Sequence, residues 1–145
     1  MLTKTFKKMF IFVAVSMFSF NLHAADWTMA SGYPKSNFHT QNIIKFIDEV
    51  KSTTSVNINL NPNDTLIKID AIKTSLQRGQ IPIGEIRLGI YGNEDPMYIL
   101  AGLPFIAPDY SSAWLLKDVQ MGYLQEKFSK KGLMILYTSL WPGQG

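Results

Sequence analysis

The segment Asp70–Glu85, DAIKTSLQRGQIPIGE, passes from a helical pattern to a strand pattern across one glycine. Apolar residues spaced three and four apart begin at Leu66 and continue through this segment, which predicts an amphipathic helix. Gly79 follows as its C-terminal stop signal. Ile81–Ile86 has the pattern of a strand, although Pro82 confines its first residues to an edge or an irregular backbone. The segment therefore predicts a helix that leads directly into a strand, the repeating unit of parallel sheets.

Similar patterns extend over the rest of the chain. Further strands are predicted at Asp26–Ser31, Val56–Leu60 and Leu133–Thr138, and further helices at Asn37–Lys51, Pro96–Gly102 and Asp109–Gly132. The order β-α-β-α-β-α-α-β predicts an α/β fold with a mostly parallel sheet and helices on both faces. Because residues 133–138 (LMILYT) are mostly apolar, they are predicted to form a central strand buried on both faces. The buried face of the last helix is expected to comprise Trp114, Leu115, Val119, Tyr123, Leu124 and Phe128.

The first 24 residues have the order of a secretory signal peptide. Lysines at positions 4, 7 and 8 precede the uncharged apolar run Met9–Phe20, and Ala24 offers a small residue for cleavage. The apolar run is too short to cross a bilayer of about 30 Å as a helix. We therefore expect residues 1–24 to be removed near Ala24 and residues 25–145 to be exported to the periplasm. An uncleaved membrane anchor and a buried first helix are the alternatives.

Charge and composition argue against several classes of function. The chain has 14 basic and 11 acidic residues, but three lysines lie in the first 24 residues, which leaves 11 of each sign in the remainder. This balance gives no support to a nucleic-acid partner. The chain has no cysteine, and His39 is the one histidine after residue 24, so neither thiol chemistry nor a His-rich metal site is expected. His39 is expected on the exposed side of the first helix, which favours a surface role over that of a general base.

Motifs of common enzymes do not occur, and no cofactor is expected. The sequence contains no nucleophile elbow, no zinc-peptidase motif, no P-loop and no dinucleotide-binding motif. The sequence therefore predicts a protein that is not an enzyme.

Candidate binding residues lie where the predicted strands end, because ligands of parallel sheets bind outside the carboxyl ends of the strands. Glu85 and Arg87 are two residues apart and lie on the same side of the third strand. Tyr33, Tyr91 and Trp141 also follow predicted strands and offer an aromatic face with a polar group. These five residues are the candidate ligand-binding site. The alternatives are a surface ion pair for the two charged residues and packing under loops for the three aromatic ones.

Several segments in this order resemble the solute-binding receptors of TRAP transporters, the DctP-like family. The resemblance lies in Asp70–Glu85, in AGLPF at Ala101–Phe105, and in the step Lys130–Leu133 into the last predicted strand. It includes the opening strand with Ser31-Gly32 and the helix that follows, and it spans residues 27–145.

The resemblance implies a receptor that captures a small organic acid in the periplasm and delivers it to a TRAP membrane permease. Such receptors are two-lobed and non-catalytic, and Glu85 falls where the family often has an acidic residue. Gln80–Pro82 departs from the family pattern, which often has an aspartate there. The carboxylate-clamping arginine of the family lies in a later strand, so residues 25–145 are expected to be an incomplete N-terminal lobe without the second lobe. An exported sensing domain, or an exported α/β enzyme without its catalytic half, is the alternative function.

Overall fold

A computed structural model describes residues 25–141 of the chain. The predicted signal peptide and its cleavage point lie outside these described residues. The three strands are β1 (Asp26–Ala30), β2 (Asn57–Asn61) and β3 (Ile83–Gly84). The three α-helices are α1 (Phe38–Thr53), α2 (Ile72–Gln77) and α3 (Tyr110–Ser129), and 3₁₀ turns occupy Leu88–Tyr91, Pro96–Tyr98 and Leu100–Gly102. No helix in this part of the chain is long and apolar enough to cross a membrane.

The strands form a parallel sheet in the order β2-β1-β3. Trp27 of β1 pairs with Ile58 of β2, and Met29 pairs with both Leu60 of β2 and Ile83 of β3. The predicted α/β fold with a parallel sheet is therefore confirmed. Because β1 lies in the centre, the chain segments that follow β1 and β3 leave the sheet side by side.

The two faces of the sheet carry different helices, as predicted. Met29 faces α1 and packs with Ile43 and Ile58 in one apolar cluster. The next residue, Ala30, points to the opposite face and packs with Ile72 of α2. This alternation along one strand is the two-residue period of a β-strand, and it places one helix on each side of the sheet.

The helix α2 and the strand β3 are shorter than predicted. The helix starts at Ile72 and not at Leu66. Side chains outside the helix form hydrogen bonds with the backbone amide and carbonyl groups of the residues that precede it. Asp64 accepts a bond from the amide of Ile69, and the Tyr91 hydroxyl donates to the carbonyls of Ile69 and Asp70. The helix nevertheless ends as predicted, since Gly79 adopts a φ of +67°.

The predicted central strand at Leu133–Thr138 is wrong. Within the described residues, positions 134–141 make no backbone–backbone hydrogen bond. The pairing of β3 ends within a few residues, because Glu85 still bonds to the carbonyl of Ala30 and Arg87 already precedes a 3₁₀ turn, so β3 offers only a short edge. The segment is also exposed on one side: Met134 is 80% exposed, whereas Leu133 and Ile135 pack inward.

The helix α3 begins as predicted and buries Leu124 and Phe128 as predicted, with Tyr123 packed against them, but the buried face of its N-terminal half differs. Asp109 caps it by accepting a bond from the Ser112 amide. The buried residues are Ala113, Gln120, Leu124 and Phe128, whereas Trp114, Leu115 and Val119 are more than half exposed. Side-chain bonds orient the helix, since Gln120 donates to the carbonyl of Met97 and Tyr123 donates to Asp95. Apolar spacing alone does not reveal these polar contacts.

Candidate ligand-binding site

The carboxylate of Glu85 is held at the end of β3 by the residue that follows β1. Ser31 is fully buried, and its hydroxyl donates to Glu85 Oε2. The backbone reinforces this approach, because the Glu85 amide donates to the carbonyl of Ala30 at 2.9 Å. Burial raises the pKa of Glu85, and the hydrogen bond from Ser31 offsets part of that rise. Oε1 of the same carboxylate has no hydrogen-bond partner among the described residues.

Tyr33 lies two residues beyond Ser31, in the loop between β1 and α1. Its backbone is fixed from both sides: its amide donates to Ser31 Oγ at 3.3 Å, and its carbonyl accepts from the Asn63 amide at 2.9 Å. Its hydroxyl is buried and has no hydrogen-bond partner within residues 25–141. Burial raises the pKa of Tyr33, while the positive charge of Arg87 lowers it and the negative charge of Glu85 raises it. These effects place both charged groups near the phenol.

His39 lies inside this group of residues and not on the exposed side of α1, where the sequence placed it. It is 3% exposed, and its ring packs against three aromatic side chains. The ring centroids lie 4.0 Å from Phe38, 4.5 Å from Trp141 and 5.9 Å from Tyr33. The Nδ1 atom is 2.9 Å from Ser139 Oγ, but the buried Nε2 atom has no hydrogen-bond partner in the described part of the chain. Burial also lowers the pKa of His39, so the ring is neutral at neutral pH.

Arg87 and Trp141 form the outer part of the site. The Arg87 guanidinium carbon is 6.0 Å from the centre of the Trp141 ring, and Arg87 itself is exposed. The Trp141 ring also packs edge-on against Tyr33, with centroids 5.6 Å apart. Among residues 25–141 no salt bridge joins Glu85 to Arg87, so the alternative of a surface ion pair does not describe them.

Tyr91 is the one candidate residue that the structure places elsewhere. It is 6% exposed, and its hydroxyl donates to backbone carbonyls that precede α2. The ammonium of Lys73, a residue that is 2% exposed, lies 4.1 Å from the centre of the Tyr91 ring and also binds Glu94. These contacts join the loop after β3 to α2. Lys73 falls within the apolar spacing of the predicted helix, and that spacing does not predict its carboxylate partner.

The other four candidates border an open cavity of about 1160 Å³. It lies between the sheet, α1, α3 and residues 132–141, and its lining includes Tyr33, Glu85, Arg87 and Trp141 together with His39. The arrangement offers an acceptor in Glu85, a cation in Arg87, and neutral polar atoms in Tyr33 and His39. Such a set can bind a small molecule that carries both an acid group and other polar atoms. No group of three acidic, histidine or cysteine side chains that could hold a metal occurs in the described part of the chain.

Comparison with solved structures identifies the fold and the family. The chain is 38% identical to DctP6, an extracytoplasmic solute receptor of Bordetella pertussis that binds pyroglutamic acid, with a TM-score of 0.79 over 81% of this chain. It is 32% identical to a TRAP solute-binding protein of an unidentified marine microbe that is specific for pyroglutamate, with a TM-score of 0.79 over 83% of this chain. The chain has a DctP-like TRAP receptor lobe. No protein-family profile and no curated protein matches the sequence.

The chain spans about 40% of the length of these TRAP receptors. A TRAP periplasmic solute-binding protein from Polaromonas, bound to D-erythronate, is 24% identical to the chain with a TM-score of 0.65. At this identity the similarity supports the fold only. The first two TRAP receptors bind a solute and are not enzymes, in agreement with the prediction of a non-catalytic protein. The sequence resemblance to the DctP-like family is therefore confirmed.

Within this TRAP receptor lobe, sequence analysis missed His39 and Ser31. Ser31 follows β1 directly, and a small polar residue beside a predicted crevice was the signal that could have found it. His39 gave no such signal, because its burial depends on the aromatic ring of Trp141, which lies about 100 positions later in the chain.

Proposed function

We propose that this chain forms one wall of a binding crevice for a small organic acid, as a periplasmic TRAP receptor does. The observation that carries the proposal is the position of Ser31, Tyr33, Glu85 and Arg87, which come together where β1 and β3 end. Parallel sheets bind ligands at this edge, outside the carboxyl ends of their strands. The receptors at 32–38% identity are described as binding pyroglutamate, a cyclic amide with a carboxylate, which makes this acid the first ligand to test.

In this proposal the charged groups have separate roles. Arg87 is exposed at the mouth and is free of an ion pair among the described residues, so its guanidinium can bind the ligand carboxylate. Glu85 has one oxygen bonded to Ser31, and its second oxygen can accept a hydrogen bond from an N–H or O–H of the ligand. Trp141 and Tyr33 supply apolar surface for the ligand ring.

Export and delivery complete the proposed function. The signal-like residues 1–24 would direct residues 25–145 to the periplasm, with cleavage near Ala24, and a membrane permease would accept the solute there. N-terminal sequencing of the periplasmic product is expected to start at Ala25 or Asp26. Uptake of labelled pyroglutamate by cells with and without the gene tests delivery, and equal uptake would contradict it.

Binding is tested by NMR titration of ¹⁵N-labelled residues 25–145 with pyroglutamate, and with 2-pyrrolidone, which has the same ring without the acid group. Because one lobe supplies only part of a clamshell crevice, we expect dissociation constants in the millimolar range for the acid. The pyrrolidone is expected to bind much more weakly. Equal shifts for both compounds would contradict recognition of the acid group.

The chain offers a matched control for the role of Arg87. Arg87→Gln should weaken binding of pyroglutamate about tenfold or more, because a hydrogen bond to a charged group contributes about 1.5–3 kcal/mol. Arg78 is the other arginine of residues 25–141; it lies at the C-terminal end of α2 and is not among the residues that line the cavity. Arg78→Gln changes the net charge equally and should leave the affinity unchanged. Similar losses in the two variants would indicate a general charge effect.

A further inference from the structure

Two buried polar atoms of the site have no hydrogen-bond partner among residues 25–141: the Tyr33 hydroxyl oxygen and His39 Nε2. A buried polar group without a partner is costly, by about 1–3 kcal/mol, and native proteins seldom retain one without a reason. The two rings are neighbours, with centroids 5.9 Å apart, and both line the cavity. The two rings therefore border the same cavity, and each carries one of the unpartnered atoms.

The tautomer of His39 depends on its contact with Ser139, because a serine hydroxyl can either donate to Nδ1 or accept from it. Ser139 Oγ lies 2.9 Å from His39 Nδ1 and 3.5 Å from the donating Asn42 amide, and we assign the Ser139 hydroxyl as the donor to Nδ1. Nδ1 then accepts, so the proton of the neutral ring lies on Nε2. The site thus holds two uncharged donors, Nε2–H of His39 and O–H of Tyr33.

Their surroundings suit an uncharged oxygen better than a carboxylate. The three aromatic rings of Phe38, Tyr33 and Trp141 surround the imidazole, and burial keeps His39 neutral. Arg87, whose positive charge lowers the pKa of Tyr33, lies at the exposed edge of the group, where a carboxylate keeps part of its hydration. A carbonyl oxygen has two lone pairs and can accept from both donors at once.

We propose that Tyr33 Oη and His39 Nε2 form a polar subsite that receives an uncharged carbonyl oxygen of the ligand, such as that of a cyclic amide. The inference rests on the proposed function and adds a specificity-determining pair to it. The N–H of the same amide would face the second oxygen of Glu85, and the acid group would face Arg87. Trp141 packs against both rings and is 40% exposed, and because the two donors are buried the proposal requires its indole to shift when the ligand enters.

The test compares two ring acids on residues 25–145 by NMR titration. Pyroglutamate carries the carbonyl, and cyclopentanecarboxylate has a ring of the same size with an acid group but no carbonyl. Tyr33→Phe removes only the hydroxyl, and His39→Asn keeps a polar atom near Nδ1 but removes Nε2. Each variant should weaken pyroglutamate binding about three- to tenfold, the effect of one neutral hydrogen bond, and should leave cyclopentanecarboxylate within about twofold.

His39→Gln places an amide near the Nε2 position and should recover most of the pyroglutamate affinity. In long-range ¹H–¹⁵N spectra the Nε2 signal of His39 should move with pyroglutamate and not with cyclopentanecarboxylate. Equal losses for both acids, or unchanged pyroglutamate binding in Tyr33→Phe, would overturn the subsite while leaving the proposed function intact. Failure of the unsubstituted chain to bind either acid would overturn both.

Discussion

The substitution Glu85→Gln separates the role of Glu85 in ligand binding from its effect on folding. We expect the substitution to lower the affinity for the ligand and to raise the melting temperature at pH 7. Ser31 donates to Oε2 of the carboxylate, and a glutamine can still accept that bond through its carbonyl oxygen. Its NH₂ group then occupies the place of Oε1, so a ligand donor meets another donor. Loss of one hydrogen bond to a charged group costs about 1.5–3 kcal/mol, which is about a tenfold to a hundredfold loss of affinity.

The same substitution should stabilise the fold at neutral pH. Burial raises the pKa of Glu85 above its ordinary value of 4.5, so the folded state holds this proton more tightly than the unfolded state does. The favourable contribution of the Glu85 carboxyl to the free energy of unfolding is complete below pH 4.5, and it is lost as the pH rises through the raised pKa. The melting temperature of Glu85→Gln relative to the unsubstituted chain should therefore be higher at pH 7 than at pH 4.

Glu94→Gln is the matched control. Hydrogen bonds from Lys131 and Lys73 hold the pKa of Glu94 below 4.5. The contribution of the Glu94 carboxylate to the stability of the fold is therefore present above that pH, and it is lost as the pH falls through the lowered pKa. Glu94→Gln should therefore lower the melting temperature at pH 7 and leave the affinity for pyroglutamate unchanged. The reasoning is refuted if Glu85→Gln destabilises the chain at pH 7, or if calorimetry and NMR titration give it an unchanged dissociation constant.

Two further predictions concern the packing that positions the site. Gly84→Ala should lower the free energy of unfolding by about 1–3 kcal/mol in urea titration, because a Cβ there would lie 2.7 Å from Ile72 Cγ2. Gly89→Ala is the control and should have little effect, because the space around Gly89 is open; equal effects of the two substitutions would contradict this packing. Lys73→Met should lower the free energy of unfolding by about 1–3 kcal/mol, because the bond to Glu94 is lost, and should leave the ligand affinity unchanged. An unchanged urea midpoint would contradict a stabilising role of the Lys73–Glu94 pair.

The sequence predicted the elements whose signals are local. The sequence offers Ser36 or Asn37 as the cap of α1, Asp109 or Ser111 as the cap of α3, and a glycine stop after α2. Each signal depends on a few neighbouring residues, and the structure has Asn37, Asp109 and Gly79 in these roles. The parallel order followed from the alternation of helices and strands. The convergence of the Ser31 loop with Glu85 then followed from parallel pairing, since adjacent strands end at the same edge.

The sequence did not predict features that depend on distant partners. The apolar run at 133–138 has strand character, but a strand forms only where another strand offers its edge, and β3 is paired for two residues only. The burial of His39 depends on Trp141 and Ser139, and the burial of Lys73 depends on Glu94. Each is a contact between residues more than 20 positions apart, so composition and periodicity carry no signal for it.

The account depends most on the claim that a small organic acid binds against the aromatic and polar residues where β1 and β3 end. The direct measurement is the set of intermolecular nuclear Overhauser effects from the ring protons of bound pyroglutamate to residues 25–145. The account predicts contacts to the ring protons of Tyr33, His39 and Trp141. Contacts to Tyr98 and Leu124, at the α3 side of the cavity, without any to Tyr33 would contradict it.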